Sequence, residues 1–316
     1  MVPYIIRRLL IALPVLIGIT IINFIIINLA PGNPVEMMID PNTSQELIEA
    51  KKEMLGLNSP AIVQYGKWMM SLMQGNLGYS FSSFAPVSQL IAERIGPTLL
   101  LTFTSLLISL AIAIPAGIYS AVKHNTKVDY ILTGLSFIGT SMPQFFLGLG
   151  VIYVFSLKLN LLPSGGMGVL GGGGGVLDTL WHLILPASVL AVGIVGKKIR
   201  YVRASMLDVL HQDYLRTARA KGVGEFMVTN RHALRNALLP IITVFAMEIP
   251  LLLGGSILIE QIFQWPGIGQ LTMQSILSRD YPTLMALNLV AAIIVLATNL
   301  LTDMIYAVAD PRVKYN

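Results

Sequence analysis

Apolar residues run along this chain in long uncharged stretches, separated by short polar segments rich in arginine and lysine. A helix needs about 20 apolar residues to cross the hydrocarbon core of a bilayer. Runs of suitable length occupy Leu9–Leu29, Thr98–Val122, Tyr130–Leu157 and Tyr281–Thr302. Another opens at Pro240–Val244 and continues past Glu248 to Ile259, and Thr179–Gly196 is shorter and contains His182 and Pro186. The pattern predicts an all-α, polytopic membrane protein with six transmembrane helices.

The polar segments orient those helices. With the N-terminus inside, the inner segments hold 15 of the 21 basic residues, among them Arg7, Arg8, Lys123, Lys127, Lys197, Lys198, Arg200 and Arg203. Cationic residues are retained on the cytoplasmic side of membranes, so both termini are expected in the cytoplasm. Arg7-Arg8 ahead of an apolar run also resembles a signal peptide. The run is too long for that and no small-residue cleavage site follows, so a retained anchor is expected over residues 1–30.

Residues 31–97 are expected to form an extracytoplasmic helical insertion between spans one and two. Thr43-Ser44-Gln45-Glu46 is a capping box opening a helix that Gly56 ends. Ser59-Pro60 starts a second helix, stopped at Gly75, and Pro86–Ile95 is a third amphipathic stretch. Trp68, Met69 and Met70 suit an interfacial position. The glycine run from Gly171 reads as a flexible outer linker. It lacks the spacing and the Lys-Ser or Lys-Thr ending of a phosphate-cradling loop.

Composition agrees with the membrane class: 54% hydrophobic and 12% charged residues, with mean hydropathy +0.72. Soluble domains carry about 25% charged residues. Cysteine is absent, which removes disulfides, thiol nucleophiles and thiolate metal ligands. The net charge of +5 sits beside apolar spans and does not indicate a nucleic-acid partner. Lipid is the expected surrounding.

One cytoplasmic loop, Asp213–Pro240, is too regular for a connector. It reads as a short helix, a glycine stop, a second basic helix, and a proline opening the next span. Ala218 and Gly222 are four residues apart and are expected to share a helical face, where small residues admit another surface. Arg216, Arg219 and Lys221 spread cations around it. An ordinary basic loop on anionic lipid, worth about 1 kcal/mol per cation, would explain the charge but not this combination. The loop is therefore expected to dock a soluble partner.

These residues carry a resemblance. Arg216-Thr217-Ala218-Arg219-Ala220-Lys221-Gly222, with Leu239-Pro240 downstream, resembles the EAA loop of ABC-importer permeases, in the form used by the peptide and nickel permease family. Arg216-Thr217-Ala218 stands where the general pattern has Glu-Ala-Ala. Leu239-Pro240 also lies further from the glycine, and both departures point to the peptide subfamily. Arg7-Arg8-Leu9, Pro31-Gly32-Asn33-Pro34, Gly75-Asn76-Leu77-Gly78, Glu260–Gly269, Arg279-Asp280-Tyr281-Pro282 and Asp310-Pro311-Arg312 match the family in order along nearly the whole chain. The likeness is to the B-type subunit of dipeptide and oligopeptide permeases.

The resemblance implies a permease core over residues 98–316, with the coupling loop at about 204–240. It also implies a bacterial or archaeal cytoplasmic membrane, a second homologous permease subunit, two cytoplasmic ATPase subunits and an extracytoplasmic solute-binding protein. ATP and Mg would be held by the ATPase subunits, with no cofactor or metal in this chain. Arg216–Gly222 would be the coupling helix. Glu260, Gln264, Trp265, Arg279 and Asp280 would meet the binding protein, although Arg279 and Asp280 also read as span-end punctuation. Short peptides are the expected cargo, with nickel chelates and sugars as alternatives.

Glu248 sits mid-span, where an acidic residue costs about 2.5 kcal/mol or more on insertion scales. It is expected to face the translocation pathway, together with Pro250, Gly254 and Gly255, or to bond the other permease subunit. Prolines within spans free carbonyls that must face protein or a wet cavity. The chain has no zinc-protease or nucleophile-elbow motif and no histidine pair with ligand spacing, so no enzymatic role is expected. A secondary transporter or channel remains the competing class, although such proteins show internal repeats and paired intramembrane charges.

Overall fold

The computed structural model describes residues 2–29, 35, 44–54, 56–168, 174–246 and 256–309. Within them every regular element is helical, and the extended pairing is a single isolated bridge between Tyr79 and Pro86. In order these are α1 (Val2–Leu29), α2 (Gln45–Met54), α3 (Ala61–Met73), α4 (Val87–Val122), α5 (Lys127–Ser141) and α6 (Gln144–Val151), which widens into a π-helix over Ile152–Lys158. Next come α7 (Gly175–Leu210), α8 (Asp213–Ala220), α9 (Glu225–Met227), a π-helix over Val228–Ala233, and α10 (Leu234–Ala246). A helical stretch covers 256–262, followed by α11 (Ile268–Leu277) and α12 (Tyr281–Ala309).

Four helices among the described residues are long and apolar enough to cross a membrane: Tyr4–Leu29, Val87–Val122, Gly175–Leu210 and Tyr281–Met304. The all-α, polytopic class therefore holds. The expected third span differs in form. Lys127–Ser141 and Gln144–Lys158 are apolar enough together but meet at 97°. Pro143 causes the break, because its ring crowds the preceding residue out of the helical region. Met142 accordingly sits at φ −74°, ψ 124°. The expected fifth span runs through 247–255, outside the described residues.

Two further expectations are corrected. The stretch Pro86–Ile95 is not a separate helix, since α4 runs unbroken from Val87 into the second span. The same neighbours hold it on both sides of Pro97: Arg94 Nη1 donates to Gln270 Oε1 at 2.8 Å, and Ile268 N–H donates to Thr98 Oγ1 at 2.7 Å. The short fourth span is in fact the 36-residue α7. Its length carries Lys197, Lys198, Arg200 and Arg203 on a helix rather than in a loop.

The chain forms two compact units. In the first, Met1–Thr98 with Pro266–Ala297, Val87 and Ile91 pack with Leu271, Ala286 and Leu287. Thr20 Oγ1 and Tyr65 OH share a 2.9 Å hydrogen bond between α1 and α3. In the second, Leu99–Trp265 with Thr298–Asn316, α7 is the central helix. Its buried residues contribute to two apolar clusters, one with Leu101, Phe263 and Trp265, the other with Ala113, Leu215 and Phe245.

Close helix approach in this unit depends on missing side chains. A Cβ at Gly117 of α4 would lie 2.6 Å from Val202 Cβ and 2.9 Å from the Ile199 carbonyl oxygen. Gly117→Ala is therefore expected to cost about 1–3 kcal/mol through overpacking. Gly134→Ala meets nothing within 4 Å and serves as control. Thermal unfolding of the purified variants checks this: the first midpoint falls and the second does not.

Candidate functional site

The segment between α7 and α10 begins with α8, whose eight residues form a helix too short to persist alone in water. One residue secures it. Leu215 is fully buried, in the cluster that includes Val202 and Met206 of α7, Val228 and Ala233 of the π-helix, and Ala237 and Ile241 of α10. The short helix is thereby tied to the ends of long helices. Its other face is polar and open: the Arg216 side chain is 77% exposed and its ion pair with Asp213 spans 3.6 Å.

The end of α8 is defined by backbone geometry. Gly222 N–H donates to the Arg219 carbonyl at 2.9 Å and Val223 N–H donates to the Ala218 carbonyl at 3.2 Å. This is the two-bond Schellman termination, which places its glycine in the left-handed region, and Gly222 has φ +75°. Ala218 and Val223 both pack on the Leu215 cluster, supplying the apolar contact of that motif. Across the turn, Arg219 Nε donates to Glu225 Oε1 at 2.7 Å.

These bonds correct the expected Ala218–Gly222 face. Gly222 lies beyond the helix in a turn, and Ala218 is half-buried against the protein. The outward surface is instead made by Arg216, Thr217, Ala220 and Lys221, with Arg219 in its pair and Phe226 nearby at 84% exposure. Tyr214 is also on the outer side, and partial burial pushes its phenol up while a bond with Asn236 opposes this. Pro240 is corrected too. It lies inside α10 rather than in the first turn of a new helix, because helix already begins at Glu225.

Any side chain at Gly222 must adopt a left-handed conformation, at about 1–2 kcal/mol. Gly222→Ala is expected to fray α8, with Gly222→Asn milder because Asn tolerates that region. Amide hydrogen exchange over Asp213–Ala220 should rise in the first variant more than in the second.

Sequence reading missed what secures the neighbouring helix ends. Asp129 is buried and accepts hydrogen bonds from Ser120 Oγ at 2.5 Å, Asn125 N–H at 3.0 Å, and Arg203 Nε and Nη2 at 2.7 and 2.8 Å. The corner between α4 and α5 is thus fastened to α7. Lys198, counted from sequence as an inner-loop cation, is 1% exposed and donates from Nζ to the Val244 carbonyl at 2.6 Å. An acidic residue at the start of an apolar run was the available signal for Asp129.

The five residues expected to meet a binding protein differ in placement. In the second unit, Glu260 and Trp265 are fully buried, and Gln264 is exposed at φ +48°. Gln264 N–H donates to the Gln261 carbonyl and Trp265 N–H to the Glu260 carbonyl, a helix stop of the same kind as at Gly222. In the first unit, Arg279 at φ +53° ends α11 in the same way. Asp280 is 1% exposed and accepts from Ser80 Oγ at 2.5 Å, Phe81 N–H at 2.9 Å and Thr283 Oγ1 at 2.8 Å. Glu260, Trp265 and Asp280 therefore have no surface to offer another protein, and the span-end reading of Arg279-Asp280 fits the geometry. The expected pathway residues Glu248, Pro250, Gly254 and Gly255 lie outside the described residues, as do Pro31–Pro34 and Asp310–Arg312. Among the described residues no cluster of His, Asp or Glu is placed to hold a metal.

A short cationic helix is thus packed on the long apolar helices α7 and α10, and comparison with known proteins gives the family to which such a bundle belongs. The family described as "Binding-protein-dependent transport system inner membrane component" matches residues 113–315, and its N-terminal companion matches residues 1–102. The chain belongs to this family of ABC-importer permeases. It is 48% identical over 316 residues to the oligopeptide transport system permease protein AppB of Bacillus subtilis, covering 100% of both chains. It is 40% identical to the dipeptide transport system permease protein DppB of Alkalihalophilus pseudofirmus and 37% identical to the glutathione transport system permease protein GsiC of Escherichia coli K12, again over 100% of each. In fold it is similar to the inward-facing MetNI methionine ABC transporter, with TM-score 0.59 at 18% identity over 71% of this chain and 97% of that one.

Proposed function

We propose that this chain is the B-type permease subunit of an ATP-driven importer of short peptides. The full-length identity to peptide permeases carries the cargo assignment. In this reading the subunit spans the inner membrane six times with both termini inside. Residues 31–97 lie outside, residues 98–316 form the core, and the loop at about 204–240 faces the cytoplasm. It pairs with a second permease, receives cargo from an extracytoplasmic binding protein and seats α8 on one of two ATPase subunits, which hold ATP and Mg. The chain itself catalyses no reaction.

The buried Leu215 anchor supports the coupling role. An element that transmits force must differ in energy between two states of its partner, and moving an equilibrium from 1:99 to 99:1 takes about 5.5 kcal/mol. A helix held by one flexible tether would dissipate that difference. One fixed to α7 and α10 passes it to the membrane. Glu248 remains assigned to the pathway, where it meets a cationic group of the peptide.

Reconstitution with the partner subunits and binding protein in proteoliposomes tests the reading. Labelled di- and oligopeptides should accumulate only with hydrolysable ATP. Accumulation without ATP would return the chain to the secondary-transporter class, and uptake of nickel chelates or sugars in place of peptides would overturn the cargo assignment.

A further inference from the structure

The bend between α5 and α6 leaves backbone groups bare inside an apolar stretch. α5 has 15 residues, a length of about 22 Å, and it starts at the Asp129–Arg203 corner. It therefore ends within a hydrocarbon core of about 30 Å, and the 97° turn keeps α6 from continuing straight across. Pro143 has no N–H to give the Gly139 carbonyl. The carbonyls of Thr140 and Ser141 and the N–H groups of Gln144 and Phe145 also have no backbone partner among the described residues. The Gln144 carboxamide lies where a Cβ of Gly193 on α7 would stand. It makes no hydrogen bond among the described residues, and its polar atoms keep access to the surroundings. Ser141, Met142 and Pro143 beside it are exposed.

Lipid cannot cover such a break, because bare N–H and C=O groups find no partner in hydrocarbon. Another transmembrane helix could offer only side chains, since its own backbone bonds are made internally. Water and an extended peptide both present donors and acceptors, and the break presents both kinds in return. We propose that the α5–α6 break lines the wet path of the cargo and hydrogen-bonds the main chain of a passing peptide, with Gln144 supplying a further donor and acceptor. Such contacts are indifferent to the side chains of the cargo. The inference rests on the proposed peptide cargo, and it adds this break to the residues expected along the pathway.

The chain contains no cysteine, so one introduced thiol reports its own surroundings. The complex with its partner subunits and binding protein is placed in proteoliposomes and treated with a charged methanethiosulfonate, and labelling of this chain is followed by mass spectrometry. Thiolate, the reacting form, is disfavoured in apolar surroundings. Ser141→Cys should therefore react at least about tenfold faster than Leu135→Cys, an exposed apolar position of the same helix. Delivery of peptide with ATP should slow the Ser141→Cys reaction. Gln144→Leu should lower peptide uptake about threefold or more, the loss expected of one hydrogen bond. Labelling of Ser141→Cys as slow as that of Leu135→Cys would overturn the proposal and mean that lipid or the second permease covers the break. Fast labelling that transported peptide leaves unchanged, where the unaltered complex accumulates peptide, would overturn the peptide contact. An unaltered complex that accumulates no peptide would overturn the cargo reading and the peptide contact with it, whereas the labelling contrast would still show a wet break.

Discussion

Replacing Asp129 with alanine is expected to destabilise the protein by about 3–5 kcal/mol, the range for removing one partner of a buried ion pair. The Asp129 side chain is 2% exposed and the Arg203 side chain 24%, so the arginine left behind could recover little hydration. Ser120 Oγ and Asn125 N–H would lose their acceptor as well. The double variant Asp129→Leu with Arg203→Met should recover much of the loss, because well-packed apolar residues often replace such pairs without cost. Thermal unfolding of the three purified proteins checks both statements. A single variant as stable as the natural protein would mean that the α4–α5 corner does not depend on this contact.

Leu215→Ala is expected to separate ATP hydrolysis from transport. On the proposed coupling role, the outward cations of α8 remain to engage an ATPase subunit while the buried anchor is gone. Large-to-small core substitutions cost about 2–5 kcal/mol, and here that loss falls on the attachment of one short helix to α7 and α10. Peptide moved per ATP hydrolysed should fall at least about tenfold, the change produced by 1.36 kcal/mol. Leu215→Met, which keeps the volume, should retain most of it. Unchanged stoichiometry in Leu215→Ala would show that motion does not pass through this anchor. The complementary variant Arg216→Glu with Ala220→Trp alters only the outward face and should abolish hydrolysis-linked uptake while the fold survives.

The helical class was legible because long apolar runs have few solutions in a bilayer. Backbone groups without water must bond within their own segment, so each run of Leu, Ile and Val predicts a helix whatever surrounds it. Punctuation was partly legible. Gly56, Gly75 and Gly222 are stops that the sequence announces, and all have positive φ. The same stop at Gln264 and Arg279 was less visible, because neither residue type announces a left-handed conformation. Proline was ambiguous for a related reason. Pro143 broke its span while Pro186 stayed inside a continuous α7. A helix held on several sides by neighbours can absorb the defect, and α7 has the most buried surroundings of the candidate spans.

The candidate site divides along the same line. Local chemistry placed a short cationic helix ending near Gly222, and the structure has it at Asp213–Ala220. Which way the helix faces was not readable from spacing. Ala218 reads as an open small-residue position until Leu215 is seen beneath the same side. The placement of charges is hidden in the sequence for the same reason. Asp280 and Lys198 count as polar punctuation in one dimension, yet each is 1% exposed and hydrogen-bonded to distant parts of its unit.

By itself the sequence determined that this protein is a set of membrane helices with a short basic helix between two of them, since hydropathy and charge act on each segment separately. Only the tertiary structure decided which polar residues are surface and which are fastenings, and which side of α8 is open. Those outcomes depend on contacts between residues far apart in the chain, such as Ser80 with Asp280 and Asp129 with Arg203. No local pattern encodes such contacts.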